Sequence, residues 1–100
     1  LVLLEDSKII GWLRYSFFWD EHPFINMLYI LEIYREQGFG KKLITYWEEK
    51  MKLNSYKILM TSTLSNEEGQ HFYRKLGYYD IGGFVMPQEP MEVILLKEMR

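Results

Sequence analysis

The stretch from Tyr34 to Leu43 has the residue types of an anion site, because it contains two glycines separated by one residue. Gly38 and Gly40 let the backbone turn sharply and present successive amide N–H groups. The residues after Gly40 have the period of a helix, whose first amides are unsatisfied and form the positive end of its dipole. This arrangement is typical of an anion site and best suits a pyrophosphate.

The Gly-x-Gly pattern alone also fits a simple turn in which a glycine allows close packing. It matches neither of two common phosphate-binding motifs, since the third glycine of the dinucleotide motif is missing. Lys41 and Lys42 are not followed by the hydroxyl residue of a P-loop. A second motif is therefore needed to favour the anion site over the turn.

That second motif follows a predicted strand over residues 56–63. Its residues are Asn66, Phe72, Tyr73, Lys75, Gly77 and Tyr78. Together with the strand residues 28–30 and the Arg-x-x-Gly-x-Gly pattern at 35–40, it resembles the GNAT superfamily of acyl-CoA-dependent N-acyltransferases. The resemblance covers roughly residues 8 to 85 and implies an acetyltransferase that uses acetyl-CoA and no metal.

The resemblance also implies where CoA binds. In that family the glycine segment holds the pyrophosphate through backbone amides, and here the matching residues are Arg35, Gln37, Gly38, Phe39, Gly40 and Lys41. The family's pantetheine arm lies between two strands that splay apart, and amides near a bulge hold the acyl carbonyl. The matching strand residues are Leu28, Tyr29, Ile30 and the range 61–63. Asn66 matches a residue that contacts the pantetheine arm.

Tyr73 matches the family's general acid, which protonates the departing thiolate. Its alternative is an ordinary helix aromatic that packs on the sheet. Amine attack on a thioester needs a free lone pair, a stabilised oxyanion and a protonated sulfur. Because the chain has no cysteine, an acyl-cysteine intermediate is excluded, and we expect direct transfer within a ternary complex.

The sequence offers several candidates for the general base and for the acceptor. Glu21, His22, Asn26 and Glu32 are candidates for the base, and deprotonation through water is equally compatible with the sequence. Phe18 or Trp19 in an acceptor pocket is a minor alternative to sheet packing. The Asp20-Glu21 pair hints at a cationic acceptor such as a polyamine or aminoglycoside. The acceptor class is otherwise any small-molecule or protein amine.

The sequence departs from the family pattern at several places. Glu36 stands where relatives often have glycine, and Glu32 stands where proline is frequent. The chain starts at Leu1, beyond the strand and two helices with which the family normally begins, so we expect an N-terminally short domain. A CoA-binding or degenerate module without turnover is the alternative function, followed by a purely structural α+β domain.

The remaining sequence predicts the elements that position these residues. Apolar, aromatic and β-branched runs predict strands at residues 1–5, 9–19, 24–34, 56–63, 78–85 and 91–99. A helix is predicted from Gly38 onward, ended by Asn54 and Ser55, because Gly40, Leu43, Ile44, Trp47 and Met51 recur at three and four residues. The order predicts an α+β protein, and the resemblance implies a mostly antiparallel sheet of about six to seven strands with two helices, splayed at the CoA site.

A short second helix is predicted to end at Leu76. Ser65 can cap its first turn, and Glu68, three positions later, can complete a capping box. Gly77 stands where a left-handed C-terminal cap is needed. The last strand, Met91 to Met99, is expected to end the sheet and to offer an edge through which a homodimer forms.

Length and charge limit the remaining possibilities. With 100 residues the chain has room for a single domain, 1–100, and 48% hydrophobic residues indicate a globular one. A net charge of −2 provides no basic field of the kind that binds nucleic acid. No apolar run approaches the roughly 20 residues that span a bilayer. The absence of cysteine fits a cytoplasmic protein.

Overall fold

A computed structural model describes residues 1–99 of the chain. Its elements are β1 (Val2–Glu5), β2 (Lys8–Phe18), β3 (His22–Ile30), α1 (Phe39–Leu53), β4 (Ile58–Leu64), α2 (Gly69–Lys75), β5 (Tyr79–Val85) and β6 (Met91–Glu98). A turn of 3-10 helix, Glu32–Tyr34, lies between β3 and α1. The predicted α+β class with two helices is confirmed over these residues.

The strands form one six-stranded sheet in the order β1-β2-β3-β4-β6-β5. Neighbours are antiparallel except for β3 and β4, which are parallel and connected by the crossover helix α1. This arrangement confirms a mostly antiparallel sheet. The prediction that the last strand ends the sheet is wrong, because β6 pairs with β4 on one side and β5 on the other. The free edges belong to β1 and β5.

Both helices pack on the same face of the sheet. The apolar stripe of α1, with Leu43, Ile44, Trp47 and Met51, is buried together with Tyr73 of α2. Beneath the helices lie alternate residues of the strands, namely Leu13, Ile25, Leu59, Val93 and Leu95. The opposite face carries the intervening strand residues, and we refer to it as the helix-free face.

The largest differences from the predicted boundaries are at the end of β3 and at the start of α2, and the other strand ends differ by one or two residues. β3 was expected to reach Tyr34 but ends at Ile30, because the Tyr34 amide instead donates to the carbonyl of Leu31 in the 3-10 turn. The helix α2 begins at Gly69 rather than near Ser65, so the predicted capping box is absent. Instead, the side-chain amide of Gln70 donates to the carbonyls of Ser65 and Glu67 at 2.6 and 3.0 Å.

The predicted left-handed cap is confirmed at Gly77, whose φ is 97°. Among residues 1–99, neither helix combines the length and the apolar character required to cross a bilayer. The same residues contain no cluster of three or more His, Cys, Asp or Glu side chains that would hold a metal ion.

Candidate functional site

The parallel strands β3 and β4 part soon after they meet. They pair only at Phe24 with Met60 and at Ile25 with Thr61. Beyond this point β4 continues to pair with β6, and β3 continues to pair with β2. The Thr61 hydroxyl donates to the carbonyl of Ile25 at 3.2 Å and fixes the strands where they separate. The facing backbone groups beyond Ile25 are therefore free to bind an extended ligand.

A β-bulge in β3 lies at the start of the opening. Arg14 of β2 pairs with Met27 and Tyr15 pairs with Ile25, so Asn26 has no partner residue across the strand pair. The Asn26 side chain donates to the Ser16 hydroxyl at 2.8 Å on the helix-free face. The bulge thus precedes the strand residues 28–30 that the resemblance selects, and it bends β3 away from β4.

A cavity of about 340 Å³ occupies the opening, and we refer to it as the splay cavity. It is lined by Ile25, Asn26, Met27, Leu28, Thr61, Ser62, Thr63, Glu67, Gly69, Phe72, Tyr73 and Glu92. Tyr73 is only 5% exposed. Burial raises the pKa of Tyr73 to about 12, although the Thr61 side chain offsets part of this effect. The phenol is therefore protonated at neutral pH and can act as a proton donor.

A second cavity, of about 520 Å³, adjoins the first at Leu28, Gly69 and Phe72, and we refer to it as the loop cavity. Its remaining lining residues are Tyr29, Ile30, Tyr34, Arg35, Glu36, Gly38, Phe39, Gly40 and Lys41. The structure thus brings the predicted glycine segment and the predicted strand residues together around one cavity. The two cavities adjoin at these shared residues, and we refer to them together as the path from the start of α1 to Tyr73.

The backbone of the glycine segment has free amides where it borders this path. Gly38 is the N-cap of α1 with a φ of 84°, and Glu36 is also left-handed, with a φ of 62°. The first hydrogen bond of the helix joins the Lys42 amide to the Gly38 carbonyl at 3.0 Å, so the preceding amides have no partner within the helix. A start of this kind suits an anion.

Gly40 has a packing role in addition. A Cβ at this position would lie 3.4 Å from the Phe72 ring and 3.8 Å from the Leu28 side chain. The absence of a side chain at Gly40 allows the start of α1 to approach α2 closely. Both glycines therefore serve the turn, Gly40 through packing and Gly38 through its backbone conformation, and the anion site stays a prediction that this role does not contradict.

Three predicted binding residues have positions that the sequence did not reveal. The Arg35 guanidinium donates to the Ile30 carbonyl at 2.8 Å and lies 5.1 Å from the Tyr29 ring centroid, so it ties the loop to the end of β3. Gln37 lines neither cavity, and its side-chain amide donates to the Ile33 carbonyl at 3.2 Å. Asn66 is exposed in the turn before α2 and also lines neither cavity.

Two carboxylates in the splay cavity were missed from sequence. Glu67 precedes α2, and Glu92 comes from β6, where it pairs with Leu64 of β4. Of the predicted base candidates, Asn26 lines this cavity, whereas Glu21 and His22 form a pair at 3.5 Å elsewhere. Glu32 lies in the 3-10 turn and does not line it either. Only the register of β6 reveals Glu92, and no local pattern signals that register.

The chain is similar in sequence to known acetyltransferases. A model of the Acetyltransferase (GNAT) family matches residues 1–78. An S-alkylcysteine N-acetyltransferase of Bacillus subtilis (strain 168) is 33% identical over 88 residues, which cover 78% of this chain and 49% of that protein. The chain thus spans about half the length of this relative.

Solved structures show the same fold. A GNAT family acetyltransferase from Elizabethkingia anophelis with acetyl-CoA bound superposes with a TM-score of 0.83 at 22% identity, covering 98% of this chain and 74% of that chain. An acetyltransferase from Bacillus cereus ATCC 14579 gives a TM-score of 0.84 at 24% identity, covering 99% and 71%. With the family model spanning most of its length, this chain belongs to the GNAT acetyltransferase family.

Proposed function

We propose that this protein is an N-acetyltransferase that moves an acetyl group from acetyl-CoA to a primary amine by direct attack in a ternary complex. The observation that carries the proposal is the path from the free amides at Gly38 to the buried phenol of Tyr73. This path has an anion site at one end and a proton donor at the other. A thioester joined to a pyrophosphate by a long extended arm has the same layout.

Features of the path fit such a donor. The unpaired backbone of β3 and β4 offers hydrogen bonds to the amides of an extended arm. Phe39 and Phe72 give the loop cavity an apolar wall, and Lys41, a cationic residue, is also among its lining residues. We propose that the amides from Gly38 to Lys41 hold the pyrophosphate. Arg35 would support this loop indirectly, through its hydrogen bond to Ile30.

Bound acetyl-CoA would supply an electrophilic thioester carbonyl in the splay cavity. The acceptor nitrogen attacks this carbon with its lone pair, the C–N bond forms, and the C–S bond breaks. Free β3 amides stabilise the oxyanion, and Tyr73 donates its phenolic proton to the leaving sulfur and regains a proton from water. The proton lost by the amine passes to water or to a carboxylate, of which the splay cavity contains Glu67 and Glu92.

The relative from Bacillus subtilis suggests the first acceptor to test. Its name specifies the amino group of an S-alkylcysteine, and we propose a small amine of this general kind rather than nucleic acid as the partner. We also propose that residues 1–100 form a single cytoplasmic domain. The proposed homodimer, if formed through a strand edge, would use β5, because β6 is paired on both sides.

Calorimetric titration with acetyl-CoA tests the donor site. We expect saturable binding that is lost in Gly38→Val, because valine disfavours the left-handed backbone at this position. The matched control is Gly82→Val, since Gly82 has no neighbour within 4 Å and lies in the edge strand β5. Absence of binding by a folded wild-type chain would contradict the proposal. Binding without turnover of any amine would identify a CoA-binding module instead.

A further inference from the structure

A third cavity, of about 420 Å³, lies on the helix-free face, and we refer to it as the aromatic groove. It is lined by Ser16, Phe17, Phe18, Trp19, Phe24, Asn26, Ser62, Phe84 and Ile94. The Phe18 ring centroid lies 4.8 Å from that of Trp19 and 6.2 Å from that of Phe24. The groove is therefore an aromatic surface on the side of the sheet away from α1 and α2.

The aromatic groove continues into the splay cavity. Asn26 and Ser62 line both of them. These two residues lie on β3 and β4 just after the last pair that joins the strands, Ile25 with Thr61. The opening between β3 and β4 thus connects the aromatic groove with the Tyr73 phenol on the other face. A molecule seated in the groove can reach the reacting end of the donor through this opening.

A carboxylate that can bind an amine lies near the place where the aromatic groove meets the splay cavity. Glu92 lines the splay cavity and faces Phe84, its partner in the β5–β6 pair. A carboxylate beside an aromatic ring suits a group that is cationic at one end and apolar at the other. The hydroxyl of Ser62 and the side chain of Asn26 supply further polar atoms at the same place.

The presence of a tryptophan at position 19 is not explained by the stability of the loop between β2 and β3. Trp19 and Asp20 have φ values of 55° and 58°, so both are left-handed within the three-residue loop, 19–21, that joins β2 to β3. Asn and Gly favour this backbone, whereas a bulky side chain is strained in it. The Trp19 side chain is also 76% exposed. Neither burial nor the turn accounts for a tryptophan here, but its position beside Phe18 in the groove does.

We propose that the aromatic groove binds the apolar substituent of the acceptor, so that the preferred substrates are primary amines with an alkyl or aryl group. Glu92 binds their ammonium group, which loses a proton to this carboxylate or to water before the nitrogen attacks. This inference rests on the proposed acetyl transfer and adds the acceptor class to it. The proposed acceptor class differs from the polyamine or aminoglycoside that Asp20 and Glu21 suggested. Neither of these carboxylates lines any of the three cavities described. A second ammonium among these rings would also lose its hydration.

Steady-state kinetics with graded amines test the proposal. We compare ethylamine, butylamine, 2-phenylethylamine and cadaverine at saturating acetyl-CoA. Two additional buried methylenes should raise kcat/KM for butylamine about tenfold over ethylamine. Cadaverine should fall below butylamine. In Trp19→Asn and Phe84→Ser, the ratio of kcat/KM for butylamine to kcat/KM for ethylamine should move toward one. Val85→Ala, next to Phe84 but outside the groove, is the control and should keep the wild-type ratio.

Trp19→Asn also separates binding from folding. Because asparagine suits the left-handed turn, this variant should unfold at the wild-type temperature or above while losing selectivity for butylamine. Equal kcat/KM for ethylamine and butylamine in the wild type would overturn the groove proposal and leave acetyl transfer intact. If no amine turns over, calorimetry with 2-phenylethylamine on the CoA-saturated chain decides: binding lost in Trp19→Asn supports the groove, and no binding overturns it.

Discussion

Tyr73 is buried against the core and still borders a cavity, a combination that distinguishes it from the other tyrosines. Its ring packs edge-on against Phe72 and Tyr78, with centroid distances of 5.2 and 5.4 Å. These contacts fix the ring, and burial keeps the phenol protonated. A fixed, protonated phenol beside a strand opening is what the protonation of a leaving sulfur requires.

Tyr73→Phe should lower kcat by about 100-fold or more, the usual contribution of a general acid. The dissociation constant of acetyl-CoA should change little, because the ring and its packing remain. Tyr46→Phe is the matched control, since Tyr46 is 55% exposed on α1. Turnover and calorimetry measure the two quantities. Wild-type kcat in Tyr73→Phe would remove the phenol from the mechanism.

The raised pKa of Tyr73 also predicts how stability depends on pH. The folded-state pKa is about 12 and the ordinary value is 10.0. The contribution of this pKa difference to the free energy of unfolding is therefore fully present below pH 10. It is lost as the pH rises through about 12. Between pH 8 and pH 11, the free energy of unfolding should fall about 1 kcal/mol more in the wild type than in Tyr73→Phe. Urea unfolding at both pH values measures this difference, and parallel losses would contradict it.

At the scale of elements, the glycine segment depends on left-handed backbone at Glu36 and Gly38. Glycine adopts this conformation without the steric cost that a Cβ introduces. The segment therefore tolerates Glu36 at a cost and uses glycine at the N-cap. The left-handed backbone at Glu36 gives a physical reason for the glycine that relatives often have at this position.

Gly38→Ala should lower the free energy of unfolding by about 1 kcal/mol, because alanine must adopt a φ near 84°. Nothing lies within 4 Å of the added methyl group, so the cost comes from the backbone alone. Gly82→Ala is the control, since that position is equally open and lacks a positive φ. Chemical denaturation measures both variants. Equal stabilities would show that the loop backbone relaxes freely.

Much of the element order could be predicted from sequence, because local periodicity specifies it. The stripe of Leu43, Trp47 and Met51 predicted α1, and the crossover that it forms places β3 beside β4. The start of α2 could not be predicted from Ser65, because no side chain accepts from the first amides of the helix. The segment before α2 is instead held by the Gln70 side-chain amide, which donates to the carbonyls of Ser65 and Glu67. A local capping pattern does not signal such a contact.

The candidate site was predicted best where backbone conformation defines it. The glycine segment and residues 28–30 line the loop cavity as the sequence suggested. Gln37 and Asn66 do not, since the side chain of one bonds to Ile33 and the other lies in an exposed turn. Glu92 and the aromatic groove depend on pairing between distant strands. Such registers are set by tertiary packing, and no single stretch of sequence determines them.

At the scale of the whole molecule, a polar cluster connects three distant parts of the chain. Glu48 of α1 is 8% exposed, accepts a hydrogen bond from the Tyr78 hydroxyl at 2.8 Å, and pairs with Lys97 of β6 at 3.1 Å. Burial, together with Glu48, raises the pKa of Tyr78 well above its ordinary value. The cluster links α1 and the segment between α2 and β5 to β6.

Lys97→Met should lower the free energy of unfolding by about 2 kcal/mol or more, because it leaves the Glu48 carboxylate buried without its cation. The double variant Glu48→Gln with Lys97→Met should recover most of this loss, since the amide still accepts from Tyr78 and no charge remains. A double-mutant cycle by chemical denaturation measures the coupling. Additive losses would show that the ion pair contributes nothing beyond packing.

The brief pairing of β3 with β4 also affects the motions of the protein. Two residue pairs, at Phe24 and Ile25, make up the strand pairing between the β1-β2-β3 half of the sheet and the β4-β6-β5 half, which otherwise meet through the Thr61 hydroxyl and the core under the helices. Each half is antiparallel and densely bonded within itself, so amide hydrogen exchange should distinguish two cooperative units with a weak seam between them. An acyl donor that is hydrogen-bonded to both β3 and β4 would join these units. Its binding should therefore slow amide hydrogen exchange in both halves of the sheet.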